Sequence, residues 1–193
     1  MLTWIFIGTA AGFIARGLAY AYLTWRSARA LHFGLWPEII GGCAVFLLAW
    51  SFREATVTGI HLLICVWLLS ACLIDVAIRE LPDIFTLGGL ICGVFLSTSV
   101  GVLPEDYILG AICGAGAYHL SNITKQNVVG PGDVKFAALL GGMAGLPGLP
   151  LFLAGSLGGL AFFVLINRSA GFFKSDMPFG PWMAAAWLFS SFC

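Results

Sequence analysis

The stretch LLICVWLLSACLIDVAIRELPDIFTLGGLICG, Leu62–Gly93, decides how the rest of the chain is read. Two apolar runs meet at a short polar junction, Arg79-Glu80-Leu81-Pro82-Asp83. The first run carries a carboxylate, Asp75, inside it. A run near 20 apolar residues is long enough to cross a bilayer, and in lipid a helix satisfies its own backbone. Proline cannot sit in a helix interior without breaking it. Leu81-Pro82-Asp83 therefore reads as the end of one span and the turn into the next, with Asp83 as the N-cap.

The rest of the chain has the same character. Of 193 residues, 60% are hydrophobic and 9% charged, against about 25% charged in a soluble domain. Mean hydropathy is +0.99. The formal net charge is zero, so no global field draws nucleic acid. No linker or low-complexity tract divides the sequence, and one membrane-embedded domain over residues 1–193 is expected. At the N-terminus no basic residue precedes the apolar run and Arg16 interrupts it, so this run reads as the first span rather than a secretory signal.

The cysteines, Cys43, Cys65, Cys72, Cys92, Cys113 and Cys193, are scattered and form no CxxC pair. Most lie in apolar runs, where a thiol acts as a small hydrophobe. Neither a disulfide framework nor a metal site is expected, and no cofactor.

The expected fold is all-α, a polytopic bundle of about eight transmembrane helices. The spans are Leu2–Thr24, Pro37–Phe52, Val57–Ile78, Ile84–Leu103, Tyr107–Leu120, Val134–Leu146, Pro150–Ile166 and Pro178–Phe192. The sixth and seventh are separated at Leu146-Pro147-Gly148-Leu149-Pro150. Alternate loops hold Arg26, Arg29, Arg79, Lys125, Lys135, Arg168 and Lys174, while the opposite set holds Arg53 with Glu105 and Asp106. The basic set is cytoplasmic by the positive-inside rule. Glycines four apart recur at Gly8/Gly12, Gly89/Gly93, Gly110/Gly114, Gly141/Gly145 and Gly155/Gly159, as in closely packed membrane helices. Tryptophans such as Trp4, Trp25, Trp36, Trp50 and Trp182 fall near expected interfaces.

Most acids, Glu38 among them, fall at span ends or in loops, where solvated or interfacial charge is the default. Two do not. Asp75 lies one helical turn, about 6 Å of rise, before Arg79 and within the apolar segment. An ionisable group there points to a functional site. Asp133 follows Gly130-Pro131-Gly132 in NVVGPGDVKFAALLGG, Asn127–Gly142, and opens the sixth span. Depth places the first on the cytoplasmic side, and turn position places the second there.

Two carboxylates in a semi-dry site share a proton. One can then act as base on water while the other donates to a carbonyl, the chemistry of peptide hydrolysis. Gly130 and Gly132 would offer backbone freedom for an extended substrate, and the helix dipole favours charge at Asp133. Lys135 could steady the pair or snorkel to headgroups. Two other readings stay open on these grounds. One is a buried polar contact, with each Asp satisfied by Arg79, Lys135 or backbone. The other is a proton- or ion-coupled transporter using Asp75 and Asp133, although such sites usually sit near the midplane.

GPGDVKFAALLG resembles the GxGD motif of bacterial prepilin leader peptidases, the membrane aspartyl proteases of type IV pilus and type II secretion systems. DVAIRELPDIFTLGG from Asp75 is similar to the family's first aspartate segment with its Pro-Asp. LWPEIIGG from Leu35 and MPFGPWMAAAW from Met177 resemble its Tyr-Pro-x-x-Glu and final-span segments. The set covers the chain from Leu35 onward, in the family's order. The resemblance implies that Asp75 and Asp133 are catalytic, with Gly130, Gly132, Lys135, Arg79 and Pro82 in support. It implies removal of a basic leader from prepilins or pseudopilins after a glycine, at the cytoplasmic face of the bacterial inner membrane. The substrate and the lipid bilayer are then the partners. Many members carry a zinc-binding loop domain with paired CxxC motifs and methylate the new N-terminus with S-adenosylmethionine. Here that loop is Trp25–Trp36, without cysteine, so a short-form peptidase that does not methylate is expected.

Overall fold

The computed structural model describes residues 2–26, 34–51, 55–99, 101–124, 129–170 and 178–191. Among them every regular element is an α-helix: α1 Leu2–Trp25, α2 Trp36–Ser51, α3 Ala55–Ile78, α4 Asp83–Thr98, α5 Pro104–Thr124, α6 Pro131–Ala170 and α7 Gly180–Ser190. Three segments, Phe6–Trp25, Gly59–Ile78 and Pro131–Gly159, are long and apolar enough to cross a membrane, and α4 is a shorter apolar helix. The chain divides into two compact units, Met1–Glu80 and Leu81–Cys193. Arg29, Arg53, Lys125, Lys174 and Cys193 lie outside the described residues, as does most of the Trp25–Trp36 loop. The other five cysteines are free thiols.

In the first unit α1 buries a row four apart, Ala11, Ala15, Ala19 and Leu23, and turns Phe6, Phe13, Ile14 and Leu18 outward. That is one helical face in and one out. Glycine lets α2 come within backbone contact of it. A Cβ on Gly12 would stand 2.2 Å from Pro37 O, and one on Gly41 would stand 2.6 Å from Gly8 O. Just past the ends of α1 and α3, Arg26 Nη1 meets Glu80 Oε2 at 3.0 Å, so both helices end on the same side. Arg16, the charge inside the first span, pairs with Glu38 at 2.8 Å. It also donates to Gly34 O at 2.7 Å and lies over the Phe13 ring at 5.2 Å. Glu38 is thus an ion-pair partner on the first turn of α2, not the solvated charge its position suggests.

The second unit is built on the same device. Its α4 buries Phe85, Gly89, Gly93 and Ser97 and exposes Ile84, Leu87, Ile91 and Phe95. Apolar side chains on the outward face of a helix that also packs inward suit lipid rather than water. The α5–α6 seam is backbone on backbone. A Cβ on Gly110 would lie 2.3 Å from Gly141 O, and one on Gly114 would lie 2.5 Å from Ala137 O. Farther on, Gly155 meets Ala186 and Gly159 meets Trp182 of α7. These are pairs the glycine spacing had marked.

One residue shapes α6. Gly145 takes φ 62°, ψ 177°, breaking the helix into two arms. That region of backbone space is essentially closed to other residues. Pro147, which the sequence reading placed at the turn, instead falls in the first turn of the second arm, where a missing N–H costs little, and Pro150 lies inside that arm. Tyr107 fixes the neighbourhood. Its hydroxyl donates to Leu90 O at 2.8 Å, and its ring fills the space that side chains at Gly93 and Gly142 would occupy.

Candidate active site

Asp75 sits in the last turn of α3 and is 4% exposed. Ser70, Ala71 and Ile74 before it are fully buried. The helix ends at once. Arg79 adopts φ 56°, and its N–H donates to Asp75 O at 2.7 Å. This is the left-handed C-terminal cap normally given to glycine. In an L residue it costs about 1–2 kcal/mol, so the surrounding structure imposes it. The Arg79 contribution seen here is a backbone cap.

In the second unit Gly130 precedes α6 as N-cap, Pro131 fills the first helical position, and Asp133 stands in the first turn. The Gly130 N–H donates to Asp133 Oδ2 at 3.2 Å, and Val134 N–H donates to Gly130 O at 3.3 Å. This is half a capping box, with an acid reaching back to the N-cap amide. The bond gives the carboxylate one backbone partner at the start of the helix. Asp133 is half-buried.

The two glycines act by size. Neither takes positive φ, so the expected conformational freedom is not what is used. A Cβ on Gly130 would stand 3.3 Å from Asp133 Oδ2, and one on Gly132 would stand 3.2 Å from Leu81 Cβ and 3.4 Å from Leu81 O. Side chains there would push on the carboxylate and on the Leu81–Pro82 turn.

Asp83 is corrected too. The N-cap of α4 is Pro82, with no side-chain cap bond. Its carbonyl accepts from Phe85 N at 2.9 Å and Thr86 N at 3.1 Å. Asp83 instead binds Lys135 Nζ at 2.5 Å, with the side chains 65% and 38% exposed. The pair ties the start of α4 to α6, two residues from Asp133. An exposed pair is worth about 0–1 kcal/mol. Asp83→Asn is therefore expected to lower the unfolding midpoint in detergent by no more than about 4 °C. A larger fall would show that the pair carries more of the fold than its exposure allows.

Sequence reasoning missed two tyrosines, Tyr107 and Tyr118, both buried. A phenol inside an apolar span needs a polar partner, and that signal was available. Its direction depends on helix register, which sequence does not fix.

Comparison with known proteins agrees with this picture. The model of the Type IV leader peptidase family matches residues 62–166, which include Asp75 and Asp133. The chain is 34% identical over 165 residues to a prepilin leader peptidase/N-methyltransferase of Pseudomonas putida, covering 79% of this chain and 57% of that protein. It is 29% identical over 151 residues to one of Neisseria gonorrhoeae, covering 75% and 52%. It is 28% identical over 155 residues to one of Escherichia coli K12, covering 77% and 69%. The chain spans about half the length of the first two of these curated relatives. No solved structure matches it significantly. With the GPGD turn capping α6 and the family match running across both aspartates, the chain belongs to the type IV leader peptidase family.

Proposed function

We propose that this chain is an aspartyl endopeptidase that removes the basic leader of type IV prepilins or pseudopilins. It cuts after glycine at the cytoplasmic face of the bacterial inner membrane. The observation that carries the reading is Asp133 held by the Gly130 amide at the mouth of an apolar helix, in a chain whose other anomalous acid, Asp75, is buried at a helix end. The two units act as one peptidase domain, and the helices cross the bilayer about eight times: α1 to α5, the two arms of α6, and α7.

Asp75 and Asp133 share one proton. The ionised member takes a proton from water as that water attacks the scissile carbonyl, while the protonated member donates to the carbonyl oxygen. A tetrahedral diol forms. It collapses as the C–N bond breaks and the amine leaves with a proton from the pair. Lys135, steadied by Asp83, offsets negative charge near the site. Gly132 keeps α6 close to Leu81. Arg79 and Pro82 set the two ends of the turn after Asp75.

Purified protein in detergent, mixed with a prepilin, is expected to release the leader without ion gradient, added metal or nucleotide. A requirement for sealed vesicles and a proton gradient would overturn the reading in favour of transport. With labelled S-adenosylmethionine present, the mature N-terminus is expected to stay unmethylated. The basis is the short Trp25–Trp36 connection. Pockets for such a ligand enclose about 300–1,000 Å³, more than a dozen residues can wall. Methyl label appearing only with active enzyme would refute the cut-only reading.

A further inference from the structure

Asp83 opens α4, directly after the Leu81–Pro82 turn. Its side chain is 65% exposed and already holds an ammonium group, with Lys135 Nζ 2.5 Å from Asp83 Oδ1. The two partners are held unequally. Asp83 is a short side chain at a helix start, where the dipole favours its charge. Lys135 is a long chain with many rotamers open to it, and an exposed pair of this kind is weak. Lys135 can therefore leave with little loss, and the acid's position does not depend on it. The turn that carries Asp83 packs on the mouth of α6, with Gly132 against Leu81. The Gly130 amide holds Asp133 at that same mouth. The sequence has no Lys, Arg or His from Ile84 to Tyr118 or from Phe136 to Asn167. Beyond Lys135, α4 and most of α5 and α6 thus bring Asp83 no further cation.

We propose that Asp83 is the docking acid for a basic side chain of the leader, and that Lys135 occupies it as a placeholder until substrate arrives. The inference rests on the reading above of this chain as a peptidase for basic leaders. An incoming lysine makes the same charge-assisted bond that Lys135 makes in the free protein, and an arginine can add a second, parallel one. One ion pair replaces another, so Asp83 is never left bare. Lys135 regains its rotamer freedom and turns to water or headgroups. It stays at the mouth of α6, where its charge still offsets that near Asp133. The exchange lies at the rim of the site. It governs how well the leader is held, and not how the peptide bond breaks.

Two prepilins test this in detergent, one with its basic leader and one with the leader's Lys and Arg changed to Gln. Binding of the matching fluorescent leader peptides is measured alongside cleavage. With the basic leader, Asp83→Asn is expected to raise Kd and KM about threefold to fivefold, with kcat little changed. Asp83→Lys adds repulsion and should raise them about tenfold or more. With the Gln leader all three proteins should bind alike, and added salt should narrow the differences seen with the basic one. Lys135→Met removes the placeholder and should lower Kd for the basic leader by about twofold to fivefold. Asp83 variants that bind the basic leader as wild type does overturn the proposal, as does an equal loss for both leaders. A Lys135→Met protein whose Kd is unchanged or higher overturns the placeholder. Should Asp83→Lys fail to fold, Asp83→Asn alone decides. Binding and cleavage keep the two claims apart. Charge-dependent binding at Asp83 in a wild-type protein that does not cut would fail the peptidase reading alone. Normal cutting with no such dependence would fail the docking role alone.

Discussion

Asp75→Asn and Asp133→Asn are each expected to abolish leader removal, with a loss of about 10³-fold or more. Asparagine matches aspartate in shape and can accept and donate hydrogen bonds, but it cannot carry a negative charge or pass a proton. At Asp133 the substitution keeps an oxygen for the Gly130 amide, so the start of α6 should hold. At Asp75, which is 4% exposed, a neutral amide is easier to bury than a carboxylate, so stability should hold or rise. Loss of function without loss of folding is the signature sought. It is read from leader removal by mass and from unfolding midpoints in detergent. Either single variant cutting at a near wild-type rate would refute the paired-carboxylate mechanism.

Gly145→Ala is expected to give the largest loss of stability. At φ 62°, ψ 177° a residue with a Cβ is held at a cost of about 1–3 kcal/mol. The new methyl would also stand 2.9 Å from Val102 Cγ1, and overpacking adds about 1–3 kcal/mol. The unfolding midpoint should fall by roughly 5–15 °C. Gly158→Ala on the second arm is the control, since nothing lies within 4 Å of its added Cβ. There the change should be neutral or slightly stabilising, because alanine favours helix by about 1 kcal/mol. Equal midpoints for the two variants would show that the break does not depend on glycine.

Much of the architecture was legible because membrane helices advertise themselves twice, in apolar length and in small-residue spacing. Gly110/Gly114 and Gly155/Gly159 were marked on spacing, and the structure finds each pair at a helix contact. The break in α6 was placed from prolines a residue or more late, because proline tolerates a helix start as well as it breaks a helix interior. For Asp83 the general preference of aspartate for N-caps was overridden by a lysine far along the chain. Gly132 was read through conformational freedom when the constraint was the nearness of Leu81. The anomalous depth of Asp75 and the helix-mouth position of Asp133 were visible from apolar pattern alone.

Hydrophobic mismatch gives that seam a wider meaning. Backbone contacts at Gly110–Gly141 and Gly114–Ala137 leave no flexible side chain to cushion a slip. Sliding α6 by one turn would drive the bulk of Tyr118 into Ala137. A thicker or thinner bilayer is then met by tilting α5 and α6 together rather than by sliding one along the other. The depth of Asp133 relative to α5 is set by protein contact, and the same register should persist across membranes of different lipid composition.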